Sequence, residues 1–341
     1  MVRYAAPLRA GDRIGVTATS SGVPPQMRGR LDVALELLRT RGYAVVLGEC
    51  LESTGHLSAP AQVRAQEFMT MMADPSIAAV TPPWGGETAI DMLPLLDWEA
   101  LREMEPTWVV GYSDVATLIT PLTMVANMAT VHGSNLMDTP YRVPGGLVSW
   151  LDIAEMPSGS TFVQTPPARF RRDAHVDYAR DPGATTLDLD TAGGWVRLDD
   201  RADVHVRGRL IGGCIETISP LAGGPFGEMS RFRDEHPGEG TLVYVEAAES
   251  GAFAICRALH GMRLAGFFDG AQAVLIGRTR APDEPGMTQH EAVLDALGSL
   301  GVPIVADVDC GHVAPFMPLV NGAHAEVRLH GDAAQVTQSL R

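Results

Sequence analysis

Apolar runs alternate with helical spacing through the first half of the chain. Arg13-Ile14-Gly15-Val16-Thr17-Ala18 has the pattern of a buried strand and ends in the polar loop Thr19-Ser20-Ser21-Gly22. Leu31 to Arg39 is spaced for a helix, Tyr43-Ala44-Val45-Val46-Leu47 for a strand, Gln62 to Met72 for a helix and Ile77-Ala78-Ala79-Val80 for a strand. Thr107-Trp108-Val109-Val110 predicts a further strand, and the helical pattern behind it puts Leu118, Leu122 and Val125 on one apolar face. Strands separated by helices of about 10–15 residues imply right-handed crossovers and a mostly parallel sheet. Such sheets build their sites at the carboxyl ends of strands. Two loops fall there: Pro82-Pro83-Trp84-Gly85-Gly86-Glu87 and Gly111-Tyr112-Ser113-Asp114.

The pattern degrades between residues 156 and 205. Pro166-Pro167, Arg169-Phe170-Arg171-Arg172-Asp173, Asp181-Pro182-Gly183 and Gly193-Gly194-Trp195 make an irregular connection. Regular structure resumes with strand patterns at Val206 to Gly213, Thr241 to Val245, Ala273 to Gly277, Pro303 to Ala306 and Ala325 to Leu329. Helical patterns cover Ala252 to His260 and Gln289 to Leu300. The predicted division is an N-terminal α/β domain over 1–160, a linker over 161–204 and a C-terminal domain over 205–341.

Composition narrows the chemistry. The 341 residues suffice for two ordinary cores. No apolar run approaches the ~18 residues of a membrane span, and Met1-Val2-Arg3-Tyr4 lacks a secretory signal. A cytoplasmic protein without membrane contact is expected. Cys50, Cys214, Cys256 and Cys310 are scattered, which fits reduced thiols better than disulfides or a zinc site. The formal charge of −15 argues against nucleic acid as a partner. All 26 basic residues are arginine, which excludes a Schiff-base or phosphate-loop lysine.

A serine at a sharp strand-to-helix junction presents its hydroxyl beside unpaired helix N–H groups, which suits a nucleophile. Ser113 or Asp114 as a plain helix cap fits the same four residues. A nucleophilic serine needs a base and a group to orient it. Glu246 ends one predicted strand, and His312 lies in the loop Asp309-Cys310-Gly311-His312 just past another. Gly85-Gly86 lets backbone N–H groups approach a reacting carbonyl. Trp84 and Trp195 sit in loops where they either face a substrate or fill a domain junction. Glu249 reads as a surface residue. A cysteine amidohydrolase using Cys310 with His312 is a rival arrangement. No compact metal-ligand motif is present, and neither metal nor cofactor is expected.

Taken in order, these residues resemble the LD-carboxypeptidase family of serine peptidases (S66), including its microcin-immunity branch. The family's Gly-Tyr-Ser-Asp stands at 111–114, its His-Gly at His132-Gly133, and its Gly-Gly loop at Gly85-Gly86. The Gly-Gly of its second domain is Gly212-Gly213, its strand-end glutamate is Glu246, and its Gly-His is Gly311-His312. The chain departs from the family's common continuations at Glu87-Thr88, Ser134-Asn135 and Cys214-Ile215-Glu216. The resemblance implies a flavodoxin-like or amidotransferase-like parallel-sheet domain and a smaller β-rich C-terminal domain of swivelling-barrel type. It implies a catalytic Ser113, Glu246 and His312, with the N–H groups of Gly86 and Asp114 as oxyanion hole. Trp84, Gly85 and Trp195 are candidate substrate contacts. The implied activity is cleavage of an amide bond next to a free carboxylate, as in muropeptides, by a homodimeric enzyme. The alternatives are hydrolysis of peptidyl- or aminoacyl-nucleotide conjugates, or ligand binding without catalysis.

Overall fold

The four apolar runs of the first half become β1 (Arg13–Val16), β2 (Ala44–Leu47), β3 (Ile77–Val80) and β4 (Trp108–Gly111), and β5 (Thr130–His132) follows them. Between and after them run α1 (Arg28–Thr40), α2 (Ala61–Ala73), α3 (Trp98–Glu103), α4 (Ala116–Met124) and α5 (Trp150–Glu155). The structure is a computed structural model that describes residues 1–53, 55–172, 176–199 and 203–341. Asp173, the last residue of the arginine-rich run, lies outside the described residues.

The connecting segment carries four short strands, β6 (Thr161–Gln164), β7 (Arg169–Phe170), β8 (Thr191–Ala192) and β9 (Val196–Arg197). Then come β10 (Asp203–Cys214), α6 (Ile215–Ile218), α7 (Met229–Asp234), β11 (Thr241–Glu246) and α8 (Ala252–Leu264). The chain closes through β12 (Ala271–Gly277), α9 (Gln289–Leu297), β13 (Ile304–Val308), β14 (Leu319–Asn321), β15 (His324–His330) and β16 (Ala333–Ser339).

Among the described residues these strands form a six-stranded sheet, β14-β5-β4-β3-β1-β2, an eight-stranded sheet, β6-β16-β15-β10-β11-β12-β13-β9, and the ribbon β7-β8. The first sheet is parallel except where β14 joins β5. The protein is a two-domain α/β fold. The domains exchange strands at their edges: β14 comes from the second half into the first sheet, and β6 and β9 enter the second sheet from the connection.

Two differences from the sequence pattern have simple causes. Every residue of α4 is buried, not just one face, because a sheet lies on one side and β10 on the other. Val125 falls just past the helix end. β5 and β14, at three residues each, are too short to announce themselves by periodicity.

The helix behind Ser113 is therefore a core element of both halves. Leu118 is fully buried there. Leu118→Ala is expected to lower the unfolding free energy by about 2–5 kcal/mol, read as a shifted midpoint with unchanged slope in urea denaturation.

Candidate active site

β4 delivers the chain to Tyr112, which is extended, and Ser113 follows with φ 64°. A left-handed backbone is costly for a residue with a Cβ and persists only when its surroundings enforce it. Here the Asn135 carboxamide oxygen accepts the Tyr112 N–H at 3.1 Å. A 3₁₀ turn over Ser113–Val115 then leads into α4. Neither Ser113 nor Asp114 caps α4. The Asp114 carboxylate instead accepts the Ala89 N–H at 2.9 Å and the Thr117 hydroxyl at 3.0 Å. It thereby ties the Gly85-Gly86 loop to the serine turn.

That loop presses against the serine. A Cβ on Gly85 would lie 2.9 Å from Ser113 Cβ and 3.0 Å from the Asp114 nitrogen. Gly86 has φ 145°, and a side chain there would strike the Ser20 and Ser21 hydroxyls. Ser20 Oγ also accepts the Thr88 N–H at 3.0 Å, anchoring the far side of the loop.

The second domain brings its two polar residues to the same point. His312 Nε2 lies 2.9 Å from Ser113 Oγ, and its Nδ1 lies 2.7 Å from Glu246 Oε2. With Nδ1–H donating to the carboxylate, the neutral ring has its Nε2 lone pair free to accept the serine O–H. Glu246 is the fully buried last residue of β11. Side chains on Gly277 or Gly311 would collide with it. Burial pushes its carboxyl up, but the adjacent His312, with its hydrogen bond, and the nearby His132 bring it down to about 2. Burial favours neutral His312, yet Glu246, with Glu216 and Asp138 adding to it, raises the imidazole above its ordinary value.

Ser113 and His312 open onto a cavity of about 620 Å³ whose wall includes Gly86, Asp114, Cys214, Glu216, Glu249 and Arg280. Glu249 is exposed, as read from sequence, yet stands at the cavity rim. In the sequence Glu216 stands out only as part of the departure Cys214-Ile215-Glu216, with no role attached. Its carboxylate accepts the N–H groups of Ala248, Glu249 and Ser250 at 3.0–3.2 Å, shaping the loop that leads to α8. Its position just beyond Gly212-Gly213 was the available signal.

Trp84 and Trp195 do not line this cavity. The Trp84 indole donates to the Ser21 carbonyl at 3.0 Å. Trp195 is buried and donates to Asp309 Oδ2 at 3.0 Å, bracing the loop that carries His312. Burial first, then Glu246 and Asp309, push the Cys310 thiol well above its usual value, so Cys310 is no thiolate nucleophile.

Among the described residues, Cys214, Glu246 and His312, and separately Cys256, His260 and Asp295, have donor atoms close enough together to share an ion. In the first group His312 and Glu246 are already committed to each other.

The depressed Glu246 carboxyl has a consequence for stability. Its contribution is fully present above the ordinary carboxyl value of 4.5 and is lost as pH falls toward about 2. Glu246→Gln is expected to flatten the dependence of the urea midpoint on pH between these limits, relative to the unsubstituted protein.

The chain matches the LD-carboxypeptidase N-terminal domain over residues 14–133 and the LD-carboxypeptidase C-terminal domain over 207–327. It is 23% identical to the microcin C7 self-immunity protein MccF of Escherichia coli over 341 residues, covering 98% of this chain and 95% of that one. A Streptomyces coelicolor protein named as a carboxypeptidase is 28% identical over 325 residues, covering 94% and 91%. Among solved structures, MccF in complex with aspartyl sulfamoyl adenosine superposes with a TM-score of 0.81 at 21% identity, covering 100% and 99%. A muramoyltetrapeptide carboxypeptidase from Oxalobacter formigenes gives 0.69 at 18%, covering 96% and 98%. With both family domains present in order, and sharing its fold with these proteins, the chain belongs to the S66 family of LD-carboxypeptidases.

Proposed function

We propose that the protein is a serine hydrolase that cleaves an amide bond next to a free carboxylate through an acyl-enzyme. The observation that carries this is the relay of 2.9 Å from Ser113 Oγ to His312 Nε2 and 2.7 Å from His312 Nδ1 to Glu246 Oε2. His312 takes the serine proton as Oγ bonds to the scissile carbonyl carbon. Glu246 holds the ring's orientation and offsets the charge of the imidazolium. The N–H groups of Gly86 and Asp114 receive the oxyanion, each such donor being worth about 10²–10³ in rate. As the C–N bond breaks, His312 returns the proton to the leaving amine. Water then attacks the Ser113 ester, giving its proton to His312, and the acid product leaves with Ser113 restored.

Muropeptides with an L,D-peptide bond fit this chemistry as substrates. A second reading, hydrolysis of aminoacyl-nucleotide conjugates, draws support from the full-length similarity to MccF. The two readings share the machinery and differ in what the cavity wall recognises.

Ser113→Ala is expected to lose at least about 10⁴-fold in kcat and all labelling by a fluorophosphonate, while Cys310→Ala retains both. Survival of activity in the serine variant overturns the proposal. Comparing hydrolysis of an L,D-tetrapeptide with that of an aminoacyl-sulfamoyl adenosine separates the two substrate classes. Gly85→Ala, which crowds Ser113 directly, is expected to abolish labelling without unfolding the chain, checked by circular dichroism. Catalysis requires neutral His312, so its raised pKa places the acid limb of kcat/KM above 6.5, the ordinary imidazole value. A pH–rate profile measures this limb.

A further inference from the structure

Glu246 has two carboxylate oxygens, and the relay uses one. Oε2 faces His312, whereas Oε1 is buried and has no hydrogen-bond partner among the described residues. Facing Oε1 at 3.7 Å is Nε2 of His132, at the end of β5, which is also buried and without a partner. Two unsatisfied polar atoms so close in a dry interior are each costly alone, and closing the gap by about 0.8–1.0 Å turns them into one charge-assisted hydrogen bond. We infer that His132 is a positioning residue of the relay, its Nε2–H directed at Glu246 Oε1 so that the carboxylate is clamped between two imidazoles. This rests on the role proposed above for Ser113, His312 and Glu246.

Several features fit His132 to that task. Its ring is fixed edge-on between Tyr112, at 6.5 Å, and Tyr244, at 5.3 Å. It is 1% exposed and off the cavity wall, so it reaches a substrate only through Glu246. In the sheet it pairs with Gly111, on the strand that delivers Ser113. The same strand pair thus sets the nucleophile and the outer support of the acid.

The other titratable groups around Glu246 are Tyr112, Tyr244, Cys214 and Cys310. Burial raises the pKa of all four, with Glu246 adding to it, so they stay neutral. Among the described residues the two imidazoles are left to answer the carboxylate's charge. Without His132, the negative charge concentrates on Oε2 and holds the His312 proton more firmly. Glu246 itself becomes easier to protonate. The firmer hold on the His312 proton moves the acid limb of activity to higher pH.

Two measurements test this. In the unsubstituted protein at pH 7, ¹⁵N NMR of the histidine rings is expected to show His132 protonated on Nε2. A ring protonated on Nδ1 alone, with a bare Nε2 toward the carboxylate, overturns the inference. Inactivation by a fluorophosphonate supplies the second readout, since it needs no identified substrate. His132→Ala is expected to lower the maximal rate of Ser113 labelling about tenfold, leave the inhibitor's half-saturating concentration unchanged, and shift the acid limb upward by roughly one pH unit. His132→Gln keeps an N–H donor and is expected to restore most of the rate and the limb. Equal losses in both variants with an unmoved limb overturn the inference in favour of simple packing. Should the alanine variant fail to fold, the glutamine variant and the ring spectrum still decide. Failure of the serine mechanism is seen separately, as labelling or activity that survives Ser113→Ala.

Discussion

Thr120, on the helix behind Ser113, donates its hydroxyl to the Gly212 carbonyl at 2.7 Å, and a side chain on Gly213 would sit 2.9 Å from the Ala116 methyl. On the opposite side, a side chain on Gly212 would run into the Tyr244 backbone of β11. The glycine pair therefore admits α4 and β11 to the two sides of one strand at distances no larger residue allows. Register completes the construction: Gly212 pairs with Tyr244, Gly213 with Val245 and Cys214 with Glu246. The helix behind Ser113 and the strand that ends at Glu246 are thus referred to the same two residues. Hydrogen bonds that join Ser113, His312 and Glu246 across two domains need such a common reference, because an error of an ångström between Oγ and Nε2 breaks the contact.

Burying the Glu246 carboxylate beside that reference is costly, and the surroundings are arranged to offset it. Gly277 and Gly311 close in where side chains would otherwise keep the carboxylate apart from its neighbours, and His312 supplies the opposing charge. The loop carrying His312 is braced in turn. Trp195 donates to Asp309, and Arg278 stands 3.6 Å from the same carboxylate while donating to the Asp307 carbonyl. Burial raises Asp309 to about 6 despite Arg278 and Trp195, a sign of how dry this brace is. The connecting segment, with Phe170 4.1 Å beneath the Arg278 guanidinium, is consequently part of the His312 support.

Strands and helices with sustained apolar spacing were legible in the chain to within a few residues, because burial on a sheet writes itself into local periodicity. So was the serine turn, whose glycine, serine and acid have local reasons to stand together. What escaped were features set by partners far along the chain. β14 exists because it pairs with β5, nearly two hundred residues away, and β5 lies between it and β4. Asp114 has the look of a cap for its own helix, yet its carboxylate serves Ala89. Trp195 in a glycine-rich loop looks available to a ligand until Asp309 is found beneath it. In each case the residue type stated what chemistry was on offer, and only the fold stated to whom.

The cavity wall separates machinery from recognition. Three successive backbone N–H groups just ahead of a helix, as at Ala248, Glu249 and Ser250 before α8, form a natural seat for an anion. Here the chain fills that seat with its own Glu216. A substrate carboxylate entering the cavity finds the amides taken and meets the acidic side chains of Glu216 and Glu249 there. Among the described residues the basic side chain on this wall besides His312 is Arg280, which also donates to the His312 carbonyl at 3.4 Å. On the proposed reading, charge complementarity directs a carboxylate-bearing substrate toward Arg280 and away from the α8 end.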